Sequence, residues 1–134
     1  MTKPKSKMNQ YVRWGLEVEH SPKMVIDRVL DDSNGLKICL KNSLESSNGL
    51  AIVFGSYACY VNTDESYRYK TIINLPKGFS ANSFYIVENS SLVKWLHAES
   101  CDIYSYTNMT HYSIITISDW FDVVSEFPPE ISTY

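Results

Sequence analysis

The chain has 134 residues, of which 44% are hydrophobic and 20% are charged, a balance typical of one folded domain and not of a disordered polypeptide. Its formal net charge of −3 argues against nucleic acid as the direct partner, because phosphate binding requires clustered Lys and Arg. No apolar run approaches the roughly 18 residues that a membrane span needs, so we expect no contact with a membrane. The three cysteines are widely spaced, which argues against a disulfide framework and indicates reduced thiols in the cytoplasm.

The beginning of the chain is a polar run with three lysines and a proline, without the apolar stretch of a signal peptide. We therefore expect a flexible basic leader over 1–10, a single globular domain over 11–131 and a short tail over 132–134. The domain opens with "YVRWGLEVEH" (11–20), whose composition favours a strand before Pro22 interrupts it.

Three alternating apolar runs predict an antiparallel meander. The first, "MVIDRVL", would place Leu30 on the same face as Met24. The sequence "SNGL" then occurs at 33–36 and 47–50, and Asn-Gly favours tight turns because both residues tolerate positive φ. Each copy leads into an alternating run, "LKICLK" or "LAIVF", which indicates a half-buried strand. We expect Gly55 to form a bulge through which the last strand bends and continues into "YACYV".

The polar stretch 62–83 predicts a long loop, part of which ("YRYKTII") could pair with a strand. "FYIV" (84–87) predicts a short strand. The apolar spacing then becomes helical, so 89–100 predicts the main helix, capped by Asn89 or Ser90. The side chains expected to face inward from this helix are Leu92, Trp95 and Leu96.

The C-terminal stretch "HYSIITISDWFDVVSEFPPEI" (111–131) predicts at least one central strand, because "HYSIITI" carries apolar residues on both faces. Residues 118–127 fit two templates, an amphipathic helix and a strand. We favour the strand, and hence a hairpin, because β-branched and aromatic residues are abundant there. Pro128 and Pro129 would end either element.

No catalytic or cofactor motif stands out. The histidines His20, His97 and His111 are far apart and no metal-ligand spacing occurs, so we predict neither a metal site nor a cofactor. One catalytic alternative is Cys101 as a nucleophile with His97, at helical i, i+4 spacing, or with His111 as its base. A buried structural cysteine explains the same spacing without any activity.

In outline, residues 24–131 resemble small bacterial immunity proteins of contact-dependent inhibition and other polymorphic toxin systems. The most specific pieces are "VKWLHAES" and "HYSIITISDWFDVVSEFPP". The resemblance implies a cytoplasmic antidote and not an enzyme. Such an antidote binds the C-terminal domain of a cognate toxin, in many cases a nuclease with a basic cleft, and blocks its active site or an exosite.

The same resemblance implies contacts from exposed carboxylates beside aromatic anchors, since acidic groups attract a basic cleft and aromatic rings supply binding energy. The candidate residues are Asp119, Trp120 and Asp122, or Asp64, Glu65 and Tyr67. For each of them a solvated turn is the plainer interpretation.

The sequence thus predicts an α+β domain in which one antiparallel sheet, made of the meander and the C-terminal hairpin, carries one main α-helix. The favoured function is toxin neutralisation by a monomer or a homodimer. The alternatives are a small Cys/His-dependent enzyme and a homo-oligomeric structural subunit that pairs through an uncovered sheet edge.

Overall fold

The computed structural model describes residues 7–14, 24–42, 49–75 and 84–133. Within them the protein is mostly antiparallel sheet with few helices. The strands are β1 (Gln10–Arg13), β2 (Met24–Asp32), β3 (Gly35–Asn42), β4 (Gly49–Phe54), β5 (Cys59–Asp64), β6 (Phe84–Glu88), β7 (Thr110–Ile115), β8 (Asp119–Ser125) and β9 (Glu130–Thr133). The helices are a 3₁₀ turn (Glu65–Tyr67), α1 (Tyr69–Ile73) and α2 (Ser91–Glu99).

The described strands form two sheets, so the prediction of a single sheet is wrong. A large sheet has the order β1-β6-β7-β8-β5, and a small sheet has the order β2-β3-β4-β9. The chain crosses between them after Gly55, because β4 ends in the small sheet at Phe54 and β5 begins in the large sheet at Cys59. The predicted continuous strand through Gly55 is therefore also wrong.

The predicted meander is confirmed as β2-β3-β4 in the small sheet. Its first turn has Gly35 at φ 105°, and the second "SNGL" copy begins outside the described residues. The register of β2 shifts between Ile26 and Arg28, which reverses the alternation beyond that point. For this reason Val29 packs toward the core and Leu30 is exposed, contrary to the prediction for Leu30.

One hydrophobic core lies between the two sheets and takes buried side chains from both. The small sheet contributes Met24, Leu36, Ile38, Leu40, Leu50, Ile52 and Phe54, and the large sheet contributes Phe84, Tyr112, Ile114, Phe121 and Val123. Across the interface the rings of Phe54 and Tyr112 lie 5.3 Å apart between centroids. The two sheets therefore share the apolar surface that stabilises each of them.

The opposite face of the large sheet is covered by α2 and by the segment 65–73, so the molecule has a third, partly helical layer. Because side chains alternate along a strand, every second residue of β6, β7 and β8 points into this layer. The buried side chains on this face include Tyr85, Val87, His111, Ser113, Trp120, Asp122 and Val124. The burial of both faces explains why the predicted central strand β7 is apolar on both sides.

Helix α2 begins as predicted, since the Ser90 hydroxyl accepts the backbone N–H of Val93. Its packing differs from the prediction, because Trp95 is 54% exposed. The alternative of a helix over 118–127 does not occur: β8 pairs with β7 as the favoured hairpin and with β5 on its other edge.

Two stretches expected to be irregular are ordered. The predicted loop over 62–83 contains the end of β5, the 3₁₀ turn and α1, while residues 76–83 lie outside the described part. "YRYKTII" forms a short helix and does not pair as a strand. Beyond the two prolines, β9 pairs with β4, so residues 132 and 133 belong to the small sheet and not to a tail. Similarly, Gln10 belongs to β1 and not to the leader.

Candidate functional site

The two candidate segments found in the sequence meet at one end of the large sheet. Asp64, the last residue of β5, lies directly opposite Asp119, the first residue of β8. The Glu65 N–H donates to the carbonyl oxygen of Ser118 at 3.0 Å, which fixes the start of the 3₁₀ turn beside the same corner. Strand pairing thus brings Asp64, and with it the adjacent Glu65, beside Asp119, which lies 55 residues further along the chain than Asp64; spacing alone does not predict this.

The carboxylates at this corner are electrostatically unfavourable in the free protein, because like charges directly opposite in a sheet repel. The hydroxyl and backbone N–H of Ser66 both donate to Asp64 and lower the pKa of its carboxyl. Asp64 is therefore ionised at neutral pH, and the corner keeps its negative charge.

Two exposed aromatic side chains follow this corner along the chain. Tyr67 is 83% exposed and Tyr69 is 70% exposed. Large exposed aromatic groups are common anchors in protein interfaces. We refer to Asp64, Glu65 and Asp119 at this corner, with Tyr67 and Tyr69 in the segment that follows it, as the acidic–aromatic face.

The structure corrects the prediction for two of the candidate contacts. Trp120 is fully buried, and its indole N–H donates to the Ser113 hydroxyl at 2.7 Å. Asp122 is 4% exposed. Both point from β8 into the layer between the sheet and segment 65–73, because they share the alternation phase that faces away from the core. Neither residue can contact a partner in this conformation.

Asp122 instead belongs to a buried polar chain that we did not predict. Arg68 Nη1 donates to one carboxylate oxygen at 2.8 Å, and His111 Nε2 donates to the other at 2.7 Å. On the far side of the ring, His111 Nδ1 lies 2.7 Å from the Ser90 hydroxyl. The four side chains come from four separate parts of the sequence, so no local spacing could reveal this polar chain.

The ionisation of Asp122 follows from these contacts. Burial raises the pKa of its carboxyl, but the hydrogen bonds and positive charge of His111 and Arg68 outweigh burial and lower the pKa overall. Because the carboxylate only accepts, the Nε2 atom of His111 carries the proton of this hydrogen bond. Burial and the nearby Asp122 charge raise the pKa of Tyr11 to about 12.

Ser90, His111 and Asp122 follow the order of groups that serine hydrolases use for acyl transfer. The Ser90 oxygen already accepts the Val93 N–H at the start of α2, and the side chain is 6% exposed. A nucleophile must be free to reach a carbonyl carbon. We therefore interpret this series as an anchor between the sheet and the helical layer. A cavity of about 240 Å³ lies beside it, lined by Tyr11, Arg68 and Asp122 among others.

The alternative site at Cys101 is only partly assembled. Cys101 is exposed and has a φ of 52°, just after α2. His111 has both ring nitrogens occupied by Ser90 and Asp122, so it does not act as a base for this thiol. His97 is half-buried one turn earlier. Among the described residues, no group of three His, Cys, Asp or Glu side chains is arranged to hold a metal ion.

Comparison of the chain with models of known protein families, with characterised proteins and with solved structures gives no match. The helices in the described part are too short or too polar to cross a bilayer.

Proposed function

We propose that the protein is an immunity protein that binds and neutralises a cognate bacterial toxin domain through its acidic–aromatic face. The observation that carries this proposal is the pairing of Asp64 with Asp119, which brings one carboxylate of each predicted contact segment next to the other. An enzyme site is a weaker proposal, because the Ser90 hydroxyl of the buried Ser-His-Asp series caps a helix.

The charge pattern favours a basic partner surface, such as the substrate cleft of a nuclease toxin. Among the described residues no Lys or Arg forms an ion pair with Asp64, Glu65 or Asp119. Such carboxylates attract Lys and Arg of a partner over a distance and raise the association rate. A bound cation would also relieve the repulsion between Asp64 and Asp119. The exposed rings of Tyr67 and Tyr69 would then supply the apolar contacts that slow dissociation.

The test is binding to the toxin domain encoded beside the gene for this chain, measured by calorimetry and by stopped-flow association. In the triple variant Asp64→Asn, Glu65→Gln and Asp119→Asn, the amides keep the side-chain shapes and the turn capping. We expect its association rate to fall about tenfold at low salt, with a smaller dependence on ionic strength than in wild type.

The matched control is Glu99→Gln with Glu126→Gln and Glu130→Gln, which removes the same charge at exposed positions outside the face. It should bind within about twofold of wild type. Absence of binding by the wild-type chain, together with death of cells that co-express it with the toxin, would reject the proposal. Equal losses of binding in both triple variants would show that binding depends on the net charge of the protein and not on the acidic–aromatic face.

The enzyme alternative makes the opposite prediction for the exposed thiol. If Cys101 were a nucleophile, Cys101→Ser would abolish the function. In the binding proposal Cys101→Ser leaves toxin protection intact, since Cys101 lies outside the acidic–aromatic face. Survival assays with this single variant separate the two functions.

A further inference from the structure

Arg68 stands between the two exposed tyrosines of the acidic–aromatic face. Tyr67 and Tyr69 are 83% and 70% exposed, whereas only 20% of the Arg68 side chain is exposed. The segment therefore presents two rings to solvent and sends the intervening guanidinium into the protein.

Hydrophobic burial holds this segment only weakly. Neither the 3₁₀ turn nor α1 has a buried residue, and α1 is five residues long. A helix of that length is not stable without tertiary contacts. Within the described part of the chain, the backbone hydrogen bond that ties this segment to the sheet lies at its start, from Glu65 to Ser118, and side-chain contacts hold the remainder.

The guanidinium of Arg68 makes three contacts with the sheet. It donates to Asp122 at 2.8 Å and to the Tyr11 hydroxyl at 3.4 Å. Its central carbon also lies 4.4 Å from the ring centroid of Trp120. A planar cation held at two edges and on one face has little rotational freedom.

The carboxylate of Asp122, which accepts the hydrogen bond from Arg68, is itself fixed in orientation. The second oxygen of Asp122 is bonded to His111, and His111 is bonded to Ser90 at the start of α2. Asp122 cannot rotate without breaking one of these bonds. The position of Arg68 is thus determined by β7, β8 and α2 together.

We propose that Arg68 is a positioning residue for the partner-binding face. Its contacts with Asp122, Tyr11 and Trp120 hold Tyr67 and Tyr69 in the orientation in which a basic partner surface binds them. The inference rests on the proposed function for the identity of the partner. The ordering of segment 65–73 by Arg68 is a property of the free protein and can be measured without a partner.

The first experiment is amide hydrogen exchange on the free protein. Arg68→Met keeps the chain length and removes the charge, and Arg68→Met combined with Asp122→Asn avoids a stranded buried carboxylate if the single variant folds poorly. We expect the amides of 66–73 to exchange at least tenfold faster in both variants, while those of β3 and β4 are unchanged. Arg28→Met, an exposed arginine on β2, is the control and should not alter exchange at 66–73.

The second experiment measures affinity for the toxin domain. Arg68→Met should weaken binding about tenfold although Arg68 itself is not a contact. Arg68→Lys should recover part of this loss, because an ammonium can pair with Asp122 but cannot also stack on Trp120 and reach Tyr11. If Arg68 had a purely structural role, the variants would lose thermal stability, but affinity would not decrease in the order wild type, Arg68→Lys, Arg68→Met.

The outcomes separate the two proposals. If wild type does not bind the toxin domain, the proposed function fails, and so does the partner assigned to this face. If wild type binds but Arg68→Met binds within twofold, the positioning role is overturned even when exchange at 66–73 is faster. Unchanged exchange at 66–73 in both variants would also overturn it.

Discussion

Asp122 places a negative charge in a layer that is almost closed to water, with Arg68 and His111 each occupying one of its oxygens. Removing one member of such a group leaves the others buried without a partner. At the scale of single residues, this arrangement therefore has more influence on stability than the carboxylates of Asp64, which is exposed, and Asp119, which is half-buried.

Asp122→Asn should destabilise the folded state by about 3 kcal/mol at pH 7, because Arg68 loses its charged acceptor. The folded-state pKa of Asp122 is lowered, so its contribution is full above the unfolded-state pKa of about 3.9 and is lost as pH falls through the folded-state value. Urea titrations from pH 7 to pH 2 should show the difference from wild type shrinking below about pH 4. Asp119→Asn, the control, should be neutral or slightly stabilising, since it removes repulsion with Asp64.

The buried hydroxyl of Tyr11 leads us to expect a second pH dependence of the free energy of unfolding, at alkaline pH. Its pKa is raised to about 12, so its contribution is present below the unfolded-state value of about 10 and is lost as pH rises between the two. Tyr11→Phe keeps the ring contacts with Tyr85 and Trp120 and removes this titration. Between pH 8 and pH 11, wild type should lose more stability in urea than the variant does. The same slope in both proteins would contradict the burial of this hydroxyl; Tyr106→Phe, at an exposed site, is the control.

At the scale of elements, the turn between β2 and β3 shows how a local sequence motif meets a tertiary constraint. Gly35 has a φ of 105°, and a side chain there would place Cβ 2.2 Å from the carbonyl oxygen of Phe54. The Asn34 N–H donates to the Asp32 side chain at 2.8 Å and completes the turn. The glycine of this Asn-Gly turn is thus required both by the positive φ at position 35 and by the close approach of β4.

Gly35→Ala should destabilise the protein by about 2 kcal/mol or more, because both the positive φ and the contact with Phe54 oppose a Cβ atom. Gly55→Ala is the matched control, since a Cβ at Gly55 meets no atom within 4 Å. It should be neutral or stabilising by up to roughly 1 kcal/mol through the unfolded state. Thermal unfolding of the two variants gives the comparison, and equal melting temperatures would contradict the described turn.

At the scale of the whole molecule, the two sheets depend on one shared core. Phe54 from the small sheet packs against Tyr112 from the large sheet, and both are buried. Neither sheet covers its inner face alone, so we expect them to unfold together.

Phe54→Ala should cost about 3–5 kcal/mol, as expected for a large aromatic side chain deleted from a packed core. Phe127→Ala, at a 62% exposed position, should change stability by less than about 0.5 kcal/mol. Tryptophan fluorescence and far-ultraviolet circular dichroism should report one coincident transition in all three proteins. Separate transitions would mean that the sheets are independent units.

Sequence by itself determined the features that depend on neighbours along the chain. The strands β3, β4, β6 and β7, the Asn-Gly turn at Gly35 and the Ser90 cap are local consequences of side-chain pattern and backbone chemistry. Only the tertiary structure decided which sheet each strand joined, why Trp120 is buried and how Asp64 came to face Asp119. These features depend on pairing between distant segments, and that pairing is set by the packing of two sheets and a helical layer, which no short window of residues contains.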